Sequence, residues 1–520
     1  DRAIGVGGVF GVLSLQQNCT VSTLNNAADV YGNVCTGGIA GNICGQSAEV
    51  TTLNNLNNTG SVNALAGYQG YTQGQSLVLG QFFGGVAGMM QNAELHSSSS
   101  GARSGLSESD IRALILQGYN PDRSLNANSP LQGDFVGGLV GFGGHVTITG
   151  CRTRSGYVLG NTFVGGLVGG LSRETVWSDS SINNSHVFGH RYVGGVASVN
   201  SQDSEISNMT NTGMTAAFGK DAAYVGGIVG LNAGTLTDCT AAVSTNTATN
   251  ASRVALLSAM ANGSYANLVG GVAGYNMGKI TWTQSTAVSV LLDGGSLVGG
   301  VVGFNDNDAL LALESGATLT VGGRIVAAGD AAGGLAGMNC AASLPAVTVK
   351  TELISGQYCV GGVVGANLPA AAMTVSGLCT DGGGNSLQAK ALAGGIIGYN
   401  RVIAAKPDEQ NVCARALSLL PTVTVNDDIA TVTPGAGATK GTAAVTLSGS
   451  NNTVNVTADA YVGGVVGYND KDTKLTVDNA QNGAANSVDK GILRSGGSLQ
   501  ATYTKGSVTV YGNMAGGIIG

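Results

Sequence analysis

Short runs in which apolar and polar residues alternate recur along most of the chain. Examples are residues 146–149, 235–238, 347–350 and 454–458, which are rich in the β-branched residues valine and threonine. Alternation with a period of two indicates strands whose side chains point to opposite faces of a sheet. Glycine and asparagine separate the runs, as expected of turns between strands. The pattern therefore predicts an all-β protein.

A glycine-rich motif recurs between these runs, and the copy at residues 461–469 reads YVGGVVGYN. Fourteen copies align to it, and the closest neighbours are 28 or 29 residues apart. A third glycine follows the pair in thirteen copies, and asparagine stands six positions after the first glycine in eight. The first glycine of each pair lies at position 7, 37, 84, 137, 165, 194, 226, 270, 299, 333, 361, 394, 463 and 516.

The motif residues have a structural explanation. Glycine at fixed places fits either a positive φ at a corner or a close approach between backbones. Asparagine suits a corner too, and stacked asparagine amides form hydrogen-bonded ladders. The positions that we single out on this basis are Gly137, Gly138, Gly141, Gly226, Gly227, Gly230, Gly299, Gly300, Gly303, Gly463, Gly464, Gly467, Asn232, Asn276, Asn305 and Asn469.

Several short strands in each unit of about 28–34 residues describe one coil of a β-solenoid, also called a β-helix. A single coil cannot bury its apolar residues alone, so coils stack and share a continuous core. The closest spacing is too short for the four strands of a propeller blade. We therefore predict one elongated solenoid over residues 1–520, and fourteen coils at ~4.8 Å each would span roughly 65–70 Å.

Wider gaps between motifs predict three insertions, near residues 90–133, 243–265 and 401–450. Each contains a helix signal of capping residues and apolar spacing. The three predicted helices lie at residues 108–117, 252–261 and 407–420. Both ends of the sequence fall at or inside a motif, and neither carries the polar residues that cap solenoids. We therefore expect a segment of a longer polypeptide, or a unit whose ends are covered by neighbours.

The motif resembles the GLUG repeat, named for its Gly-Leu-x-Gly-like core, and residues 163–169 (FVGGLVG) carry the likeness clearly. That repeat occurs in tandem in large bacterial surface proteins, including adhesin-like proteins and the non-catalytic repeat region of some immunoglobulin A proteases. The resemblance extends over essentially the whole chain. It implies a repeat region displayed on a bacterial surface, although the long insertions depart from the family pattern.

Composition excludes several other classes of protein. The 520 residues include 86 glycines but only 7 prolines, without a three-residue period, which excludes collagen. Charged residues make up 10% and hydrophobic residues 43%, whereas disordered chains are rich in charge. A net charge of -7 without a basic run argues against nucleic-acid binding. The sequence contains no run of about 18 apolar residues, so it predicts no helix that inserts into a membrane.

Nine cysteines favour an exported protein. Cys19, Cys151 and Cys239 stand at repeat positions that hold small or apolar residues elsewhere, which predicts buried thiols. The other six give three candidate disulfides, two that require the motif to bend so that their columns meet and a third, Cys379–Cys413, that rests on a shared repeat offset. These candidates are Cys35–Cys44, Cys340–Cys359 and Cys379–Cys413, and reduced thiols throughout are the alternative.

Four aspartates that follow repeat motifs are the metal candidates. Asp306 and Asp308, and likewise Asp470 and Asp472, could offer carboxylate oxygens to calcium at an exposed turn. A solvated turn explains the same clusters without a metal, so both interpretations stay open. We expect no other cofactor.

An enzyme is not expected in this sequence. The best local carboxylate pair for glycoside cleavage is Asp203 with Glu205, which would share one face of a strand. A carbohydrate-binding surface would need aromatic rings that stack on sugars. The rings available for that purpose are Trp177, Trp282, Tyr192 and Tyr224.

The function predicted from these observations is a non-enzymatic, extracellular rod with a structural or adhesive role on a bacterial cell surface, able to assemble into filaments. Its expected partners are neighbouring repeat segments or copies of itself, and a host surface or glycan. The alternatives are a carbohydrate-binding or carbohydrate-cleaving β-helix, and an inert stalk for a catalytic domain outside this segment.

Overall fold

The structure is a computed structural model, and it forms two compact units, Asp1–Ala266 and Asn267–Gly520. It describes most of the chain, and the statements below concern only that part. The described residues are 5–16, 18–32, 34–46, 51–64, 71–73, 76–78, 82–101, 134–154, 156–172, 175–177, 180–219, 221–241, 266–381, 386–404, 411–426, 429–478, 481–482, 486–488, 499–501, 508–510 and 515–516.

Both units are built from strands stacked in parallel, which confirms the predicted β-solenoid fold class. In each coil a leading strand ends at the first glycine of the motif, and a trailing strand begins after the glycine pair. The leading strands of the N-terminal unit are Val6–Gly7, Cys35–Gly37, Phe82–Gly84, Phe135–Gly137, Thr162–Gly165, Arg191–Gly194 and Ala223–Gly226. Its trailing strands are Phe10–Leu15, Ala40–Gly45, Ala87–His96, Val140–Thr149, Val168–Leu171, Ala197–Asn200 and Val229–Asn232.

Further strands complete the coils of the N-terminal unit. One set follows the trailing strands: Thr20–Asn26, Thr52–Asn58, Ser99–Gly101, Arg152–Arg154, Ile182–Asn183, Thr210–Asn211 and Thr240–Ala241. Smaller parallel sets are Val176–Trp177, Glu205–Ser207 and Thr235–Thr237, then Tyr157–Leu159, His186–Gly189 and Thr215–Ala217, and finally Val30–Gly32 with Val62–Ala64. Tyr71–Gln73 and Ser76–Val78 pair antiparallel.

The C-terminal unit repeats the same plan. Its leading strands are Asn267–Gly270, Val298–Gly299, Ala332–Gly333, Tyr358–Gly361 and Ala515–Gly516, and its trailing strands are Ala273–Asn276, Val302–Asn305, Ala336–Asn339, Val364–Asn367, Ile397–Asn400 and Val466–Asn469. Long strands between motifs are Thr286–Gly294, Leu319–Ala327, Val347–Ser355, Ser386–Gly394 and Asn455–Gly463, of which the last two run into the next motif. The remaining parallel strands are Lys279–Trp282, Leu310–Leu313, Met373–Ser376, Leu378–Thr380, Ala444–Ser448, Asn451–Asn452, Lys474–Asp478, Gln481–Asn482, Asn486–Val488, Leu499–Ala501 and Val508–Val510.

The motif glycines set the register of each stack. In the N-terminal unit Gly137 pairs with Gly84 on one side and with Gly165 on the other. In the C-terminal unit Gly394 pairs with Gly361 and with Gly463, although Gly463 is 69 residues further along the chain than Gly394. A gap between motifs is therefore filled by a longer coil, and the glycine column continues without a shift.

The residue directly after the glycine pair forms the centre of the core in twelve coils, whereas Val9 of the first coil is exposed. In one coil the N–H groups of Leu139 and Val140 both donate to the Leu167 carbonyl of the next coil, at 2.8 and 3.0 Å. Burying such an aliphatic side chain stabilises the fold by about 1.5–3 kcal/mol. The fully buried members of this column are Ile39, Val86, Leu139, Leu167, Val196 and Ile228 in the N-terminal unit, and Val272, Val301, Leu335, Val363, Ile396 and Val465 in the C-terminal unit.

The predicted insertions have different outcomes. In the first, residues 90–96 and 99–101 belong to solenoid strands. The helices predicted at 108–117 and 252–261 lie outside the described residues. The third contains a helix, α1 (Val412–Leu419), shorter than predicted because Asn411 caps its start by accepting from the Ala414 N–H. An antiparallel hairpin follows, Thr422–Asn426 with Ile429–Thr433.

Candidate functional site

The motif glycines are required by close approach between backbones. A Cβ on Gly137, Gly138 or Gly141 would lie less than 3.0 Å from a backbone carbonyl oxygen, a separation that real Cβ atoms do not show. Their φ angles are not in the left-handed region. The same crowding holds for Gly230, Gly299, Gly300, Gly303 and Gly467. Gly226 pairs with the motif glycine Gly194, and Gly463 pairs with Gly394. The carbonyl oxygens of Gly227 and Gly464 lie where a Cβ on Gly195 or Gly395 would be.

The positive φ that the sequence suggested for glycine falls two residues before the pair, on residues that carry side chains. Left-handed backbone is uncommon and strained for such residues. A regular column of strained positions shows that stacking dictates the backbone here. The nine residues are Phe163, Tyr192, Tyr224, Leu268, Leu297, Ala331, Cys359, Leu392 and Tyr461, with φ between 54° and 64°.

The asparagine after each trailing strand forms a buried ladder in the C-terminal unit. The Asn305 Nδ2 donates to Asn339 Oδ1 at 2.9 Å, and Asn339 Nδ2 donates to Asn367 Oδ1 at 2.9 Å. Asn276 donates to Asn305 in the same way, and the ladder continues through Asn400 to Asn469. Each amide therefore replaces the water it loses on burial with a bond to the adjacent coil.

In the N-terminal unit this ladder is shorter. Asn200 Nδ2 donates to Asn232 Oδ1 at 2.8 Å. The buried Asn200 Oδ1 has no hydrogen-bond donor, because the preceding coil carries Leu171 at the equivalent position. The coil with Leu171 thus marks where the ladder begins in this unit.

A second column of polar side chains was not found from the sequence. Asn183 Nδ2 donates to Asn211 Oδ1 at 2.7 Å, and Thr153 Oγ1 donates to Asn183 Oδ1 at 2.5 Å. Asn183 also faces Gly166, the second glycine of a motif, where a Cβ would collide with the Asn183 amide. The second glycine therefore makes room for this column. The 28-residue spacing of Asn183 and Asn211, equal to the repeat, is the signal that could have revealed it.

Of the first pair of calcium candidates, only Asp308 is exposed. Asp306 follows the ladder asparagine and is only 2% exposed. Arg415 of α1 donates to Asp306 Oδ2 at 2.6 Å, and the Tyr275 hydroxyl donates to the same oxygen. The Arg415 guanidinium also lies 5.6 Å from the ring centre of Phe304. Asp308 is exposed on the turn beside it.

These contacts decide the protonation of the site. Burial alone would raise the pKa of Asp306, but hydrogen bonds from Tyr275 and Arg415 outweigh burial and hold it below its ordinary value. Burial and the Asp306 charge raise the pKa of Tyr275 well above its ordinary value. The carboxylate stays charged, the phenol stays neutral, and Arg415 occupies the position that a cation would take.

The second pair of calcium candidates is also occupied by protein cations. Asp470 Oδ1 lies 2.7 Å from Arg401 Nη1, and both side chains are almost fully buried. Asp472 accepts a hydrogen bond at 2.9 Å from Lys440, which lowers the pKa of this exposed carboxyl. Among the described residues, no cluster of three histidines, cysteines or carboxylates could hold a metal ion. At both turns, therefore, aspartates that follow a ladder asparagine form ion pairs with basic residues of the third insertion.

None of the three predicted disulfides is formed, since the structure describes all nine cysteines and none of them is in a bridge. Cys35 ends up in a leading strand and Cys44 in a trailing strand, where its thiol donates to Asn42 Oδ1 at 3.2 Å. Cys359 precedes a glycine pair, whereas Cys340 follows a ladder asparagine at the far end of a trailing strand.

The remaining cysteines also lie on separate elements of the fold. Cys379 lies in strand Leu378–Thr380 and Cys413 in α1, so the third predicted pair is on separate elements. Burial raises the pKa of Cys151 to about 11 and that of Cys239 to about 12. Those two thiols are protonated and inert at neutral pH, as buried small residues should be. Cys19 is only partly buried.

The aromatic rings considered for sugar binding have no open face. Trp177 and Trp282 are fully buried, and Tyr224 is 2% exposed. Tyr192 is stacked between Phe163 at 4.8 Å and Tyr224 at 4.5 Å. Sugars bind to the flat face of a ring, and here the neighbouring coils cover those faces.

The candidate carboxylate pair does not share a strand face. Asp203 lies in a turn with φ of 63°, and Glu205 begins the strand Glu205–Ser207. Both side chains are exposed. Within the described ranges, moreover, no helix is long and apolar enough to cross a lipid bilayer.

Comparison with known proteins adds no relative. No family model, no curated protein and no solved structure matches this chain. The resemblance to the GLUG repeat therefore rests on the motif alone.

Proposed function

We propose that this chain is a non-enzymatic, extracellular rod with a structural or adhesive role on a bacterial cell surface. The observation that supports the proposal is the buried asparagine ladder, with its column of motif glycines. Both features stabilise the stacking of successive coils in one register. The polar groups that could have served chemistry, such as Asp306 and Asp470, are used in internal ion pairs.

A stack of this kind suits a protein that projects from a surface. Within each unit, backbone ladders join each coil to the next, and in the C-terminal unit five asparagine side-chain bonds also link six successive coils. Closed coils offer a protease few loose segments, since cleavage needs an unfolded stretch of chain. The exposed loops and insertions would then contact a host surface, a glycan or another copy of the chain.

Force spectroscopy on the whole chain, held by its two ends, tests the rod function. A solenoid that yields one coil at a time releases 28–34 residues at eight of its thirteen steps, which is roughly 10–12 nm of extended chain each. Four wider spacings of 44–53 residues should release roughly 15–19 nm each. The coil that carries α1 contains 69 residues between its glycines and should release about 24 nm. A single cooperative release of each unit, or extension without measurable force, would contradict the mechanical role.

The assembly and surface parts of the proposal need separate measurements. Electron microscopy over a range of concentrations should show rods roughly 65–70 Å long that join end to end. Antibodies against the chain should label intact cells of the source bacterium, and added protease should remove the label. Isolated rods at every concentration would refute the filament, and label seen only in lysed cells would refute the surface location.

The glycan and stalk alternatives are distinguished by two further experiments. A screen of soluble polysaccharides for cleavage and for binding should give no cleavage, and binding would point to the loops rather than to the covered rings. Sequencing the gene beyond residues 1 and 520 would reveal a catalytic domain if the segment is a stalk.

A further inference from the structure

Two arginines on one strand of the N-terminal unit face solvent without an ionic partner, and we call them the arginine pair. Arg152 and Arg154 are both exposed, whereas Thr153 between them is fully buried. Arg154 Nη2 makes one bond, of 3.4 Å, to Ser99 Oγ of the preceding coil, and Arg152 has no side-chain bond or ion pair in the described part of the chain. Because alternate residues of a strand share a face, the two side chains leave one surface at points about 7 Å apart.

The positions in register with Arg152 add no negative charge to this surface. Ser99 pairs with it on one side and Ile182 on the other. The next positions outward are Asn57 and Thr210. These side chains are hydroxyl, amide and aliphatic groups, so the charge of the arginine pair is not neutralised along this column.

Two carboxylates of the same unit are also exposed and unmatched, and we call them the carboxylate pair. Asp203 lies in a turn, and Glu205 begins the strand Glu205–Ser207. Neither side chain has a hydrogen bond or ion pair to any residue that the structure describes. Glu205 stands in register with Val176 and Thr235, which are uncharged. The unit therefore displays two negative charges as well as two positive ones.

The two pairs lie apart within one copy of the chain. The arginine pair is in the set of strands that follows the trailing strands, whereas Glu205 belongs to the smaller set with Val176–Trp177. The arginines follow the motif at Gly137 and the carboxylates follow the motif at Gly194, which is two coils further on. Two coils correspond to about 10 Å along the stack. The pairs therefore remain available for contacts outside the copy that carries them.

Other exposed charges show what such side chains do when a partner is within reach. Lys350 Nζ lies 2.9 Å from Asp381 Oδ2, and Lys440 Nζ lies 2.9 Å from Asp472 Oδ1. Charged residues make up only 10% of the chain. The arginine pair and the carboxylate pair are thus complementary charges that one copy leaves unmatched.

We propose that the arginine pair of one copy binds the carboxylate pair of a second copy, so that rods associate side by side. The inference rests on the proposed rod that assembles with copies of itself. Guanidinium groups suit this contact, because they bind carboxylates through two parallel hydrogen bonds. The two surfaces differ, so the contact is heterologous, and the outer copies keep one free pair each to which further copies add. Exposed ion pairs are individually weak, so the association is reversible and sensitive to salt.

The test is sedimentation velocity of the full chain at ionic strengths of about 0.01 M and about 1 M, which screen charges over about 30 Å and about 3 Å. The native chain should associate at the low ionic strength and separate at the high one. A reversed variant, Arg152→Glu with Arg154→Glu, places like charges against the carboxylate pair. Its association should be weaker by about tenfold or more.

An exchange of charges distinguishes a specific contact from a general effect of net charge. Adding Asp203→Arg and Glu205→Arg to the reversed variant restores the complementary pairs with their signs exchanged, and it should restore association. The matched control adds Glu352→Arg and Asp459→Arg instead, at two exposed acidic residues of the C-terminal unit. Both chains have the net charge of -7 of the native chain, but the control should stay as weak as the reversed variant.

The outcomes separate this contact from the rod function itself. A native chain that stays monomeric at low ionic strength, or a control that recovers as fully as the exchanged chain, would overturn the proposal. Binding of added polyglutamate through Arg152 by a chain that does not self-associate would also overturn it, because the occupant would be a different molecule. Electron microscopy of the reversed variant should still show rods, whereas loss of the rods in the native chain would refute the proposed function instead.

Discussion

Replacement of Asn339 by alanine tests whether the buried ladder holds the coils together. The Asn339 amide donates to Asn367 Oδ1 at 2.9 Å and to the Ala341 carbonyl at 3.0 Å, and it accepts from Asn305 Nδ2 at 2.9 Å. Alanine removes all three bonds and leaves two or three buried polar groups without partners. Each such group costs about 1–3 kcal/mol, so the free energy of unfolding should fall by about 3–6 kcal/mol.

The assay uses the two tryptophans, because Trp177 lies in the N-terminal unit and Trp282 in the C-terminal unit. In a Trp177→Phe background, fluorescence during urea unfolding reports the C-terminal unit alone. Asn455→Ala is the matched control, since Asn455 is an exposed strand residue of the same unit, and it should change stability by less than about 0.5 kcal/mol. If Asn339→Ala is no more harmful than Asn455→Ala, the ladder does not stabilise the stack.

Three further predictions concern a buried carboxyl, a motif glycine and an ion pair. Burial raises the pKa of Asp330 from 3.8 to about 6, despite nearby Lys390. The contribution of the protonated Asp330 to folding stability is therefore full below pH 4 and is lost as the pH rises through 6. In urea titrations Asp330→Asn should stabilise the protein by about 1–3 kcal/mol at pH 7 but not at pH 4. Gly300→Ala should lower the melting temperature or prevent folding, because its Cβ would collide with a backbone oxygen, whereas Gly322→Ala, with its nearest atom at 3.7 Å, should be tolerated in the same thermal scan. Arg415→Met leaves Asp306 buried without its cation and should cost about 3–5 kcal/mol at pH 7, with less loss at low pH, where Asp306 can take up a proton; equal losses at both pH values would refute the ion pair.

The repeat was predictable from the sequence because each element of it is local. Glycine pairs at a 28-residue spacing and alternating runs such as 347–350 identify strand, turn and strand without knowledge of distant contacts. Stacking then follows, since one coil cannot bury its own apolar residues. The role of the glycines was only half predictable. Close approach explains Gly137, whereas the positive φ falls on residues such as Phe163, which no composition rule would select.

The ion pairs of the aspartates that follow the ladder asparagines were not predictable, because they join distant parts of the chain. Asp306 and Arg415 are 109 residues apart, and only the docking of α1 brings them together. The aspartate therefore looked like an exposed calcium ligand. The predicted disulfides failed for a related reason. Cysteines were paired by their distance from a glycine in sequence, but their separation in space depends on which strand and which corner each one occupies.

The direction of the asparagine ladder has a consequence for how such a chain can change in length. From Asn276 to Asn400 every side-chain amide donates to the ladder asparagine of the coil that follows, and Asn469 is the last acceptor. A coil duplicated or deleted as a whole keeps this sense, because the new neighbour offers the same oxygen to the same nitrogen. Loss of half a coil would break the sequence of donors and acceptors. Variation by complete turns is therefore the route by which this architecture can be lengthened or shortened without redesign of its interior.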